Sequence, residues 1–254
     1  MADGSTTVPW RYPEPDELGL DAAAVSIAGP RPENEDAAST GDRLLVVADG
    51  VGGNVGGAVA AALAVAAVST AGDDLAAAVA AANSRLADAV AADPQLSGMA
   101  TTLTAVALTG SELVVAHVGD SRAYLFRDGR LRQLTHDQTL VQSLVDAGAI
   151  DAEQARTHPL RSVVLGALHG RDDDLARLEV GRYDIRPGDR LLLCSDGLSG
   201  VVAPEVLARV LADEPAPTAA AMRLVRDALA AGTQDNVTAV VADVALVGAC
   251  ARAA

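Results

Sequence analysis

Two apolar runs in this 254-residue chain end in the same pair of residues. Leu44-Leu45-Val46-Val47-Ala48 leads into Asp49-Gly50, and Leu191-Leu192-Leu193-Cys194-Ser195 leads into Asp196-Gly197. Each run reads as a buried strand, so each carboxylate is expected at a strand mouth. Two further acidic signals sit at element boundaries. One is Glu35-Asp36 within Arg31-Pro32-Glu33-Asn34-Glu35-Asp36; the other is Asp235-Asn236, just before the run Val237–Val244. Carboxylates gathered at apolar strand ends repel one another unless a cation neutralises them. Oxygen donors without His or Cys partners select hard divalent ions, Mg²⁺ or Mn²⁺. Taken singly, each acid has a plainer reading as a solvated loop residue, and Asp-Gly is itself a turn dipeptide, as at Asp128-Gly129. Neither Asp49 nor Asp196 is followed by a returning strand of matching length, which sets these two apart.

The elements that must hold these acids alternate along the chain. Ala22–Ile27 reads as a first strand and Leu44–Ala48 as a second, followed by a glycine-rich turn over Gly50–Gly57. Alanine-rich helices are expected over 57–69 and 74–92, the second with Asp73 and Asp74 at its positive end, and Pro94 closes the pair. From Thr101 the pattern changes to short apolar or alternating runs, TLTAVAL, ELVVAHV, RAYLF and RLRQL, which read as an antiparallel meander. A polar helical section from Gln138 to Thr157, broken at Gly148 and Pro159, has the character of a lid. Strands over 190–195 and 237–244 and helices over 204–211 and 218–231 complete the chain. Hairpins interspersed with helices point to antiparallel sheets with helices packed outside.

Composition removes several kinds of chemistry. All 19 basic residues are Arg, so a Walker P-loop, a protein kinase and a pyridoxal enzyme, each of which needs a Lys, are excluded. A net charge of −15 argues against nonspecific nucleic-acid binding. Cys194 and Cys250 lack metal-ligand spacing and impose no disulfide framework, which suits a reducing cytoplasm. No basic segment followed by an apolar one opens the chain, and the alanine-rich run Ala58–Val68 is too short to cross a bilayer. A cytoplasmic protein without a membrane segment is expected.

Six segments then fall in a familiar order. Arg31-x-x-Asn34-Glu35-Asp36, Ala48-Asp49-Gly50-Val51-Gly52-Gly53, Thr101-Thr102, Gly119-Asp120-Ser121-Arg122, Ser195-Asp196-Gly197-Leu198 and Asp235-Asn236-Val237-Thr238 together resemble the metal-dependent Ser/Thr protein phosphatases of the PPM (PP2C) family, bacterial type. The resemblance covers residues 20 to about 247. It implies an α+β fold, a four-layer αββα sandwich of two antiparallel sheets flanked by helices. It also implies a domain over 21–247 with a flap at 135–170, a mobile tail over 1–20 and a C-terminal tail over 248–254.

Carried over residue by residue, the resemblance makes Asp49 the carboxylate bridging two Mn²⁺ or Mg²⁺ ions. Gly50 would supply its carbonyl, and Asp196 and Asp235 would complete the first ion. Asp120 would share a possible third ion with Asp196, while Glu35, Asp36 and Asn236 would act from behind the ligands. Arg31 would hold the substrate phosphate with its planar fork. A metal-bridging hydroxide would attack phosphorus in line, with Asp49 and Arg31 as the catalytic residues. The implied partners are phosphorylated proteins, substrates of a Ser/Thr kinase, acted on by a monomer.

Some positions depart from the pattern. Val51 stands where many eukaryotic relatives carry His, and Asp137-Gln138-Thr139 replaces the Asp-His-Ser/Thr of many bacterial relatives. Alternatives therefore stay open. Asp120 can be a turn acid between two meander strands, and Arg31 a surface partner of Glu33 or Glu35. Gly119-Asp120-Ser121-Arg122-Ala123 approximates the nucleophile elbow of a serine hydrolase, although a hairpin follows where that elbow needs a helix. A PPM-like module that binds phosphoproteins without hydrolysing them is the remaining reading; such a module would be expected to lack a metal carboxylate.

Overall fold

A computed structural model describes residues 17–51, 56–70 and 74–247. Five strands, β1 (Leu18–Ile27), β11 (Val237–Leu246), β10 (Arg190–Cys194), β7 (Arg122–Arg127) and β8 (Arg130–Gln133), form one antiparallel sheet in that spatial order. The second runs β2 (Asp36–Thr40), β3 (Leu44–Val51), β5 (Leu103–Thr109), β6 (Glu112–Val118) and β9 (Glu179–Asp184), with β4 (Ala100–Thr101) paired to the end of β3. Helices α1 (Gly57–Ser69) and α2 (Leu75–Ala92) cover the second sheet, the single turn α5 (Asp196–Ser199) follows β10, and α6 (Pro204–Asp213) and α7 (Pro217–Ala230) cover the first. The four-layer α+β sandwich is the expected one.

The continuous apolar runs have a simple cause: their strands are buried on both faces. In β10, Leu191 and Leu193 point between the sheets while Leu192 and Cys194 meet α6 and α7. In β3, Leu45 and Val47 point between the sheets, and Val46 and Ala48 face α1 and α2. Burying each such Leu or Val stabilises the fold by roughly 1.5–3 kcal/mol. Local signals set the helix starts. Asp74 accepts from the amides of Ala76 and Ala77, and Pro204 and Pro217 open α6 and α7. By length and composition α2 could cross a membrane, but Leu75, Ala78, Val79, Ala82 and Leu86 pack into the core beside α1.

Several expectations need correction. The four runs from Thr101 are not one meander: β5–β6 is a hairpin of one sheet and β7–β8 a hairpin of the other. Gly119, at φ +113°, turns the chain between them, and strand patterning carries no information about which sheet a strand joins. Strand β1 begins at Leu18, inside the stretch assigned to the N-terminal tail; residues 1–16 of that tail, Gly52, Gly53, Asp73 and the tail from 248 with Cys250 lie outside the described residues. Strands β2 and β9 were not anticipated, since Asp36-Ala37-Ala38-Ser39-Thr40 is small and polar and Glu179–Asp184 is an exposed, charged edge. The lid section is two short helices, α3 (Leu140–Asp146) and α4 (Ala152–Thr157), separated at Gly148 (φ +67°) and restarted by a capping box between Asp151 and Gln154.

Candidate metal centre

Strand parity decides where Asp49 and Asp36 point. Asp49 follows Leu45 and Val47 at spacing two, so its side chain enters the space between the sheets. Asp36 lies directly opposite it in the β2–β3 register and shares that face. Thr104, His117 and Thr238 share the parity of the intersheet residues on their own strands, and Thr102 and Ser121 continue that parity just ahead of β5 and β7. The intersheet layer is thus apolar through most of its depth and turns polar at one end.

Hydrogen bonds order this end. Asp36 Oδ2 accepts from Ser195 Oγ and Thr238 Oγ1, both at 2.7 Å. Because the Thr238 hydroxyl proton is committed there, Ser26 Oγ donates to Thr238 at 2.7 Å and itself accepts from Asn34 Nδ2 at 2.8 Å. Asp49 is fixed through its backbone: its N–H donates to Thr102 Oγ1 at 3.0 Å, and its carbonyl accepts from the Thr102 N–H at 2.8 Å and Thr101 Oγ1 at 3.0 Å. This gives the Thr101-Thr102 pair its purpose. Asp36 Oδ1 and Asp196 Oδ1, in contrast, are buried without a partner.

Charge repulsion follows from the packing. Burial first, then its neighbours Asp36, Asp196, Asp120 and Asp235, raise the Asp49 carboxyl well above its ordinary 3.8. Burial pushes Asp36 and Asp196 up to about 6, with Asp235 adding repulsion to both, and burial plus Asp196 pushes Asp120 up to about 8. Two orphaned oxygens amid mutually repelling carboxylates fit hard divalent cations, which would satisfy the orphans and cancel the repulsion. Among the described residues no three His, Cys, Asp or Glu side chains lie close enough together to hold an ion by themselves. A centre here would be completed by the Gly50 carbonyl and water, as is usual for Mg²⁺.

The rim is built by Asn236 and Arg31. Asn236 donates to the carbonyls of Ala28 and Glu33 at 2.9 and 2.7 Å and accepts from the Glu35 N–H at 2.9 Å, stitching the Arg31–Glu35 loop to Asp235. Arg31 pairs with neither Glu33 nor Glu35. Its Nη2 donates to Asp235 Oδ2 at 2.8 Å and its Nε to the Gln234 carbonyl at 3.0 Å, with the side chain 46% exposed. Glu35 lies against α1, where a Cβ on Gly57 would come 2.7 Å from Glu35 Oε1. Gly50 lets the start of α1 approach, since a Cβ there would meet the Gly57 backbone at 2.5 Å.

Asp120 and Asp196 form the inner wall of a 430 Å³ groove that runs beneath α3 and α4 past Arg122, Gln142, Arg156 and Arg161. Asp120 is not a hairpin-turn acid; it lies in the crossing from one sheet to the other. Arg122 gives its fork to Asp137 at 2.5–3.0 Å, and Asp137 also accepts from Gln133. Sequence reasoning assigned no role to Asp137, Ser195 or Thr238; for the last two the only signal was a hydroxyl on the inward parity of a strand. None of the four His residues is available at the cluster. His117 is buried between Thr104 Oγ1 and the His136 carbonyl, His136 binds Asp146, His158 accepts from the Leu160 N–H, and His169 sits on Asp174. Cys194 is fully enclosed, and burial pushes its thiol up to about 12, so it is no nucleophile. Strand β7 follows Ser121, so the serine-elbow geometry is absent.

Comparison with known proteins agrees with this architecture. The chain is 46% identical over 223 residues to the serine/threonine protein phosphatase PstP of Mycobacterium tuberculosis, an alignment covering 84% of this chain and 43% of that protein. It therefore spans less than half the length of that relative. Identity to the serine/threonine phosphatase stp of Listeria monocytogenes is 33% over 210 residues, covering 77% of this chain and 82% of that one. Among solved structures, the M. tuberculosis PstP/Ppp phosphatase superposes with a TM-score of 0.84 at 46% identity, covering 89% of this chain and 98% of that one. The catalytic domain of PstP in complex with two manganese ions superposes at 0.82, with 44% identity over 90% of this chain and 99% of that one. Residues 33–242 match the family described as Protein phosphatase 2C, and with the sandwich and its acidic end in place the chain belongs to that family.

Proposed function

We propose that this chain hydrolyses phosphoserine and phosphothreonine in proteins, with Mn²⁺ or Mg²⁺ held at the acidic end of the sandwich. The observation that carries this reading is the set of buried, mutually repelling carboxylates, two with orphaned oxygens, opening onto the 430 Å³ groove beneath α3 and α4. Asp49, Asp196, Asp235 and the Gly50 carbonyl would hold two ions, and Asp120 with Asp196 a third. Bound there, the cations supply Lewis-acid charge and acidify water enough for it to attack phosphorus near neutral pH. Asp36 is the anchored carboxylate behind Asp49: two hydroxyls hold one oxygen and leave the other facing the centre. Glu35 and Asn236 support the rim from behind. Arg31 is half exposed at that rim, and its fork can pass from Asp235 to an incoming phosphate dianion. With Val51 in place of a His and the four histidines engaged elsewhere, protonation of the leaving oxygen falls to water.

The unit carrying this activity spans 18–247, with all of β1 inside it, and its flap over 135–170 forms the outer wall of the groove and reads the sequence around the phosphorylated residue. The physiological substrates are phosphoproteins made by a Ser/Thr kinase, placing the chain in cytoplasmic signal transduction. It acts as a monomer without nucleic acid or membrane. Titrating Mn²⁺ and Mg²⁺ into chelator-treated protein while following hydrolysis of an aryl phosphate tests the proposal. Saturable, metal-dependent turnover is expected, whereas phosphopeptide binding without turnover at any metal concentration would identify a non-catalytic module.

A further inference from the structure

Asp137, Gln138 and Thr139 are consecutive, yet each faces a different part of the molecule. Asp137 receives the Arg122 fork, and Thr139 caps α3 through the Gln142 N–H at 3.1 Å. Between them Gln138 is 9% exposed. Its Oε1 accepts from the Gly119 N–H at 3.0 Å, and its Nε2 donates to the Arg177 carbonyl at 2.7 Å. Its own N–H donates to the Gly119 carbonyl at 2.8 Å, and its carbonyl accepts from Leu165 at 2.7 Å on the return of the flap. A single residue therefore holds both polar groups of Gly119. That glycine is constrained from the other side too, because a Cβ on it would meet Thr102 at 2.6 Å. Gly166, also on the flap return, is glycine for the same contact: a Cβ there would come 2.0 Å from Gln138 Oε1.

Asp120 lies between two clamped neighbours, Gly119 held by Gln138 and Arg122 held by Asp137. We propose that Gln138 is a positioning residue, a strut between flap and metal centre that fixes the Gly119–Asp120 turn and so aims the Asp120 carboxylate. An amide suits the task, since it offers an acceptor and a donor together at any pH. The inference rests on the proposed role of Asp120 as a metal-binding carboxylate.

Three variants of the whole chain separate the possibilities: Gln138→Leu removes both side-chain hydrogen bonds, Gln138→Glu keeps the oxygen facing Gly119, and Asp120→Asn removes the carboxylate charge itself. Amide hydrogen exchange at Gly119 in metal-free protein, Mn²⁺ binding by calorimetry, and kcat and KM on a phosphothreonine peptide are measured for each. In Gln138→Leu, exchange at Gly119 should rise on the order of tenfold to a hundredfold, as for a buried donor left without its partner. The Mn²⁺ binding event that Asp120→Asn abolishes should weaken, and kcat should fall about tenfold with KM within about twofold. Gln138→Glu keeps the acceptor for Gly119 but turns an oxygen on the Arg177 carbonyl and Glu179, so its Gly119 protection and kcat should lie between those of the wild type and Gln138→Leu. Gln138→Met, which lacks the same polar atoms, replaces the Leu variant if that one does not fold. Unchanged Gly119 exchange in the apolar variant overturns the strut, as does lost protection with Mn²⁺ binding and kcat intact. Should Asp120→Asn leave Mn²⁺ binding unaltered, the reading of Asp120 as a ligand is what fails, and Gly119 exchange still decides for or against the strut.

Discussion

Replacing Asp196 by Asn should make the metal-free protein more stable while abolishing its turnover. The carboxyl titrates near 6 in the fold against an ordinary 3.8, chiefly through burial and then through Asp235. A raised folded-state value means that the native protein binds more protons than the unfolded chain between about pH 4 and 6, so stability falls as pH rises through that window. Above it the ionised group destabilises the fold by an upper value of about 3 kcal/mol, at ~1.4 kcal/mol per pH unit. Because the residue is only partly buried, solvent screening brings the expected figure to about 1–2 kcal/mol. Asn keeps the shape and removes the charge, so in chelator at pH 8 the variant should melt about 2–8 °C above the wild type, given ~2–4 °C per kcal/mol for a chain of this size. At pH 4.5 the gap should shrink to about a third. Saturating Mn²⁺ should reverse the order, since a ligand bound by the native state raises stability in proportion to its affinity and the variant would bind it less well. Scanning calorimetry at two pH values with and without Mn²⁺ reads all four melting points. A variant no more stable than the wild type at pH 8 in chelator would refute the reasoning, because Asp196 would then carry no uncompensated charge.

Other perturbations reach different parts of the same site. Arg31→Ala should lower kcat/KM on a phosphopeptide by about tenfold to a hundredfold, the worth of a charged hydrogen bond, with Mn²⁺ affinity by calorimetry no weaker; unchanged kcat/KM would remove Arg31 from phosphate binding. Asn236→Ala breaks three side-chain hydrogen bonds and should cost about 2–4 kcal/mol in urea denaturation, at ~1 kcal/mol each; a loss under 1 kcal/mol would show that the rim loop holds itself. Gly50→Ala brings a Cβ to 2.5 Å from the Gly57 backbone, so α1 must move, and both Mn²⁺ affinity and melting temperature should drop. Wild-type values for both would contradict that contact.

Most of the site was legible because the residues that need burial are also those with a pattern. Leu44–Ala48 and Leu191–Cys194 announce strands buried on both faces; Asp49 inherits its position from that parity, whereas Asp196, one residue past the inward-facing Ser195, is placed by the helical turn it opens. The ordered motifs carried the fold. What stayed hidden depends on contacts far apart in sequence. Nothing near Asp36 tells that Ser195 and Thr238 will anchor it, nothing near Arg122 names Asp137, and the sheet to which β7 belongs is decided by the φ of Gly119. Arg31 pairs with Asp235, 204 positions away, where local spacing suggested Glu33 or Glu35. Strand β9 was invisible because an exposed edge strand has no apolar face to reveal its period.

Everything proposed for this chain depends on the acidic end of the sandwich being a divalent-metal centre. Crystals grown with Mn²⁺, measured for its anomalous scattering, test it most directly. Two anomalous peaks flanking Asp49, each about 2.0–2.3 Å from carboxylate or carbonyl oxygens and between them engaging Gly50, Asp196 and Asp235, are the predicted result. A map at saturating Mn²⁺ with no peak within coordinating distance of Asp49 or Asp196 would contradict it.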